Sequence, residues 1–171
     1  MPLSASTSWV IKDIVTDLMW HPVRKWGSRS TDLIKKIIIH QSLSDSTTRN
    51  INSYHVNPNH ISSRGCPHIC YHYSIEKDGT TYKCNSPAHV VWHAKGFNIV
   101  SLGILVIGNF DGPSWTGKSA PTPQQLNSLN RLTKYLKQVY RLDNSAIFGH
   151  PNKENCPGNI LDEWVEAKRN E

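Results

Sequence analysis

Lys36-Ile37-Ile38-Ile39-His40 is a short β-branched run with a histidine at its C-terminal end. Branching at Cβ favours the extended backbone, and an unbroken apolar run of this length reads as a buried strand. Working outward, Ala146-Ile147-Phe148-Gly149-His150 is a second short strand that also ends in histidine. Ser101 to Gly108 is continuously apolar, which fits a strand covered on both faces. Tyr71 to Lys77 alternates as a strand, Asp78-Gly79 makes a tight turn and Thr80 to Cys84 returns, a hairpin signal. Helices alternate with these strands. One is expected from Ser46 to about Val56, capped by Ser44 or Asp45 and ended by Pro58. Another starts at Thr122-Pro123-Gln124-Gln125, a capping box with proline at the first helical position. Its apolar stripe is Leu126, Leu129, Leu132, Leu136 and Val139. A last helix is expected from about Ile160 to Lys168. The sum is an α/β fold of three layers, with a mixed central sheet flanked by helices on both sides.

The 171 residues suit one domain, and a last helix near the C-terminus suggests that the domain is complete. Residues 1–35 form an N-terminal segment with no motif, in which Ser8 to Met19 reads as an amphipathic helix with Ser8 as its N-cap. That stretch carries Lys12, Asp13 and Asp17, so it does not read as a secretory signal. The longest apolar run, Ile99 to Ile107, falls far short of the roughly 20 residues that span a bilayer. Synthesis in the cytoplasm without membrane insertion, as a monomer, is the expectation. The net charge of +6 suits a polyanionic partner, be it nucleic acid, anionic membrane or anionic cell wall. No helix-turn-helix signature or RNA-binding aromatic motif supports nucleic acid.

The two strand-end histidines matter because ligand sites in open α/β sheets lie just beyond the carboxyl ends of strands. Cys156 follows His150 by six positions, in Asn155-Cys156-Pro157-Gly158. Two imidazoles and a thiolate, drawn from distant parts of the chain, make a good zinc set with one position left for water. The spacing leaves a second reading open: strand-end histidines that only hydrogen-bond in the core, beside an inert buried cysteine. The other cysteines, Cys66, Cys70 and Cys84, do not read as a disulfide framework in a chain this long. Cys66 and Cys70, with His68 and His72 near them, are a weak signal for a second metal, and free thiols in a packed loop are preferred.

Taken together and in order, several pieces resemble the type 2 N-acetylmuramoyl-L-alanine amidases. These pieces are Ile37-Ile38-Ile39-His40, Ile69-Cys70-Tyr71-His72-Tyr73 with Asp78-Gly79-Thr80, His93-Ala94-Lys95-Gly96, Ser101-Leu102-Gly103-Ile104 with Gly108-Asn109-Phe110, and Gly149-His150 with Cys156-Pro157-Gly158. That superfamily includes small phage lysozymes of the amidase type and the animal peptidoglycan recognition proteins. The resemblance implies one zinc ion per chain, held by His40, His150 and Cys156. It implies a catalytic role for Tyr71 and a place on the substrate groove for His93, with Lys95 and Asn109 as further binding residues. The partner it implies is bacterial peptidoglycan, with anionic wall polymers attracted by charge. The reaction is hydrolysis of the amide between N-acetylmuramic acid and L-alanine, in the manner of a phage endolysin released at lysis. A non-catalytic peptidoglycan-binding domain is the alternative, though such members typically lack the thiolate.

The chain departs from the family pattern at two positions. Some members carry lysine two residues before the last metal ligand and others threonine; here it is Glu154. Some carry glutamate where this chain has Leu105. Glu154 has three readings: a solvent-facing loop residue, a residue ordering the Cys156 loop, or a general base beside zinc. On an alternating strand His72 points away from Tyr71 and reads as structural, whereas Tyr73 shares the side of Tyr71, about 7 Å further along.

Overall fold

The computed structural model describes residues 8–113 and 120–171. Within them a six-stranded sheet runs in the order β1 (Ile11–Asp13), β5 (Thr81–Lys83), β4 (Tyr73–Ile75), β7 (Ser101–Val106), β3 (Lys36–Gln41), β8 (Ile147–Gly149). β3 is parallel to both neighbours, β4 is parallel to β7, and β4 with β5 forms the antiparallel hairpin. The mixed character expected from the sequence is therefore present. A separate pair joins β2 (Gly27–Ser28) to β6 (His89–Val90).

Three helices sandwich the large sheet. Ile37 and Ile39 of β3, Tyr73 and Ile75 of β4, and Leu102, Ile104 and Val106 of β7 share one face. There they pack on Leu129, Leu132 and Leu136 of α2 (Pro123–Tyr140) and on Leu161, Trp164 and Val165 of α3 (Asn159–Arg169). Period-2 alternation puts His40, Ser74, Gly103 and Leu105 on the opposite face. α1 (Thr48–Val56) covers part of that face, its buried Thr48 hydroxyl 2.7 Å from Ser74 Oγ.

Local chemistry explains the element ends. The capping box at α2 is complete: Thr122 Oγ1 accepts from the Gln125 N–H and Gln125 Oε1 from the Thr122 N–H, each at 3.0 Å. At α1 the cap is Thr47 instead of Ser44 or Asp45, because its Oγ1 accepts from the Asn50 N–H at 3.2 Å, and the helix begins at Thr48. Gly79 stands at φ +84°, a conformation other residues resist, and turns the β4–β5 hairpin while Asp78 Oδ1 accepts from the Thr80 N–H.

Two further expectations are corrected. Ser8 to Met19 is not a helix: Ile11–Asp13 pairs in parallel with β5 as the edge strand β1, and a turn follows. The spacing of Ile11, Ile14 and Leu18 looked helical. A strand and one turn satisfy it equally, burying Ile14 and Leu18 against Ile69 and Cys84. The free edge of β5 and the β-branched Val10 and Ile11 decide the contest. Second, β4 begins only at Tyr73. Alternation therefore does not reach Tyr71, and Tyr73 lies in the helix-side core without sharing Tyr71's surroundings.

The face opposite α2 and α3 buries several histidines. Burial lowers His55 and His68 from 6.5 to about 4. The unfolded chain then takes up protons first as pH falls, so the stability these groups contribute is complete above about 6.5 and is lost on the way down to about 4. Thermal melts should accordingly show Tm falling between pH 6.5 and pH 4. His55→Asn, which keeps an acceptor for the Cys70 N–H but cannot titrate, should make that slope shallower.

Candidate active site

The carboxyl ends of β3 and β8 open into a cavity of about 780 Å³. Its wall brings together His40, Tyr71, His93, Lys95, His150 and Cys156 from four separate parts of the sequence. His40, the fifth residue of β3, is buried at the cavity floor. Its Nδ1 lies 3.5 Å from Cys156 Sγ, its Nε2 lies 2.9 Å from His93 Nδ1, and its ring centroid is 5.0 Å from those of both Tyr71 and His150. The Cys156 loop is clamped by Gln41, next after His40. Gln41 Nε2 donates to the Asn155 carbonyl while its Oε1 accepts from the Phe110 N–H at 2.6 Å.

Burial sets the protonation states here. It lowers His40 well below the ordinary histidine range, with the neighbouring His93 and His150 adding to the effect. His150 is lowered by burial and then by Lys153. The Cys156 thiol is pushed up to about 11, chiefly by burial. Tyr71 is raised by burial and next by Cys156, so its hydroxyl remains a donor throughout the physiological range.

His40, His150 and Cys156 fit a zinc ion in donor chemistry: two neutral imidazoles and a thiol converge on one cavity. Among the described residues no three such side chains form a ready-made metal cluster. His150 Nδ1 is engaged by the Asn152 N–H at 3.1 Å, and the thiol is hydrogen-bonded to His40.

The other anticipated residues divide. His93 reaches the cavity wall but is buried, and both ring nitrogens face protein groups. Lys95 lines the cavity with its side chain exposed. Asn109 is exposed, accepts from the Asp111 N–H and is absent from the wall. Glu154 is exposed and off the wall, although Lys153 and Asn155 on either side of it line the cavity. Leu105 is fully buried on the floor. His72 is structural as expected: Nδ1 accepts from the Gly103 N–H at 3.1 Å and Nε2 lies 3.0 Å from the His89 carbonyl.

Three residues went unread in the sequence. Lys153 is one, Gln41 the second, and Arg29 the third. The buried Arg29 guanidinium donates to the carbonyls of Pro87, Asn98, Ile99 and Ser101 at 2.7–2.9 Å, tying down both ends of the segment that carries Trp92, His93 and Lys95. Burial lowers it to about 10, still charged at neutral pH. Its carbonyl partners leave no trace in a sequence.

A family model for N-acetylmuramoyl-L-alanine amidase matches residues 29–159, beginning at Arg29 and ending beyond Cys156. The chain belongs to this amidase family. An endolysin of Enterobacteria phage K11 is 30% identical over 101 residues, 58% of this chain and 65% of that protein. The amidase LysC from Clostridium intestinale superposes with a TM-score of 0.73 at 29% identity, covering 94% of this chain and 97% of that one. Peptidoglycan-recognition protein SD from Drosophila simulans is 29% identical over 149 residues, 80% of this chain and 74% of that protein. The three-layer fold read from the sequence agrees with these neighbours. Among the described residues, no helix is long and apolar enough to cross a membrane.

One close approach holds the family site together. A Cβ built on Gly103 would stand 2.7 Å from the His93 ring. Gly103→Ala should therefore lower the unfolding free energy by about 1–3 kcal/mol, as overpacked cores do, measured by urea denaturation.

Proposed function

We infer that this protein is a zinc-dependent amidase that hydrolyses the bond between N-acetylmuramic acid and L-alanine in bacterial peptidoglycan. The observation that carries the reading is the convergence of His40, His150 and Cys156 on the cavity that Tyr71 also lines. The similarity to phage endolysins supports a lytic role, with synthesis in the cytoplasm and action on the wall after release. The zinc ion would be held by His40, His150 and Cys156. When bound, zinc supplies Lewis-acid polarisation of the scissile carbonyl and lowers the pKa of water at the site.

The chain's own groups do the remaining work. Tyr71 keeps its proton and donates a hydrogen bond to the oxygen that gains charge in the tetrahedral transition state. Lys153 adds positive charge at the same wall; its field reaches Cys156, His40 and His150. This lysine stands three residues before Cys156, one position earlier than in the relatives that carry one, and Glu154 takes no part. Leu105 and the buried imidazoles keep the floor dry, where hydrogen bonds count for more than in water. Lys95, exposed at the rim, contacts the substrate.

The likeness to peptidoglycan recognition proteins motivates the rival, binding without cleavage. Clearing of purified cell walls separates the two. The amidase reading expects clearing that a chelator abolishes and added zinc restores; walls bound but never cleared would establish the rival.

Within the amidase reading, Tyr71→Phe should retain zinc and fold while turnover falls about 10²–10³-fold, the usual loss for one oxyanion donor. Glu154→Gln should change turnover by less than about threefold, while Lys153→Met lowers it well beyond that. A reversed order would return the general-base role to Glu154.

With a net charge of +6, attachment to anionic wall polymers should also weaken steeply as salt rises, because screening shortens from about 10 Å at 0.1 M to about 3 Å at 1 M. Pull-down on intact walls across that range checks this, and salt-independent binding would assign attachment to the groove alone.

A further inference from the structure

His93 lines the cavity, yet both of its ring nitrogens are engaged by protein groups. It lies across the bare face of Gly103, between Ser101 at one ring nitrogen and His40 at the other. The hydrogens in this row can be placed in sequence. The Phe97 carbonyl only accepts, so the Ser101 hydroxyl, 2.7 Å away, donates to it. Ser101 Oγ is then an acceptor, and His93 Nε2, 3.1 Å from it, carries a proton. A neutral imidazole has one N–H, so His93 Nδ1 presents a lone pair. His40 Nε2, 2.9 Å from that lone pair, must donate to it. His40 Nδ1 thereby presents a lone pair, which accepts the Cys156 thiol proton across 3.5 Å and becomes available to a metal once that thiol is deprotonated.

We propose that His93 and Ser101 are positioning residues which lock His40 in the Nε2–H tautomer, so that Nδ1 is the nitrogen offered to the metal. The role deepens the zinc reading and rests on it for its purpose, though the tautomer itself exists without metal. A ligating histidine that donates its other N–H has a fixed ring orientation and a more basic ligating nitrogen. In most such sites a carboxylate or a backbone carbonyl receives that proton. Here a second imidazole does, and its own tautomer is set by a serine hydroxyl whose proton is committed elsewhere. His93 can perform this only in one orientation, which the surroundings enforce. Gly103 leaves room for the ring, and the His93 and Ala94 N–H groups are both held by Asn98 Oδ1 at 3.1 and 2.8 Å.

Two variants separate this role from simple packing. In His93→Asn, Oδ1 stands where Nδ1 stood and can accept from His40. His93→Leu matches Asn in heavy-atom count and branching but has no acceptor. Both lose the ring and the bond to Ser101, so a purely structural role would penalise them alike. Zinc affinity should be measured by competition with a chromophoric chelator, and the His40 tautomer by long-range ¹H–¹⁵N NMR on the metal-free protein. The expected results are an Nε2–H tautomer for His40 in the wild type, zinc affinity within about threefold of wild type for His93→Asn, and a loss of about 10–100-fold for His93→Leu. An Nδ1–H tautomer in the wild type would overturn the proposal, as would wild-type zinc affinity in His93→Leu. Should His93→Leu fail to fold, the wild-type tautomer still decides. A wild type that binds no zinc would defeat the zinc reading, and the metal-free NMR would still test the lock.

Discussion

The parallel pairing of β3 with β7, from Lys36 opposite Ser101 to Gln41 opposite Val106, is the constraint on which the site depends. It sets three groups in register on one face of the sheet: His40 at the end of β3, and Ser101 and Gly103 along β7. A single imidazole, His93, then spans the distance from Ser101 to His40 because Gly103 has no side chain in the way. A slip of one residue would turn His40 into the α2–α3 core and bring Ile39 to the cavity. The isoleucines that make β3 a strand are therefore also what aims its histidine, since Ile37 and Ile39 belong on the helix side.

The loops complete what the sheet begins, and each is held by a side chain from elsewhere. Gln41 clamps the loop bearing Cys156, and Arg29 holds the segment bearing His93 by four carbonyls. Arg29 Nε and Nη1 donate to these carbonyls and Nη2 lies 3.2 Å from His72 Nε2, contacts that offset its burial without a carboxylate. The resulting site has a buried floor and a cationic rim, with Lys95 and Lys153 on the wall. That polarity suits an amide substrate whose transition state gathers negative charge.

Much of this was legible in the sequence where one residue's neighbours along the chain decide its state. The runs at Ile37–Ile39 and Ser101–Val106, the capping box at Thr122 and the Asp78-Gly79 turn each carry their own local physics, and the structure agrees with them. His40, His150 and Cys156 could be paired on paper because two strands end in histidine at the same edge of the sheet. What could not be read depended on distant surfaces. Ile11–Asp13 is a strand only because β5 offers a free edge. Arg29 has four carbonyl acceptors about 60 to 70 positions away, and its Nη2 lies 3.2 Å from His72 Nε2. Glu154 and Lys153 are adjacent, yet Lys153 lines the cavity and Glu154 does not, in a loop whose Asn155 carbonyl accepts from the distant Gln41. His93 lines the cavity, and its ring hydrogen bonds to Ser101 and His40 could not be read from its neighbours along the chain.

The central claim is that this cavity cuts a particular amide. Mass spectrometry of purified peptidoglycan digested by the wild-type protein with zinc tests it directly. The account predicts intact glycan strands and released stem peptides that begin with a free L-alanine amine. New reducing sugar ends, or peptides cut within the stem, with no new alanine amines, would contradict it.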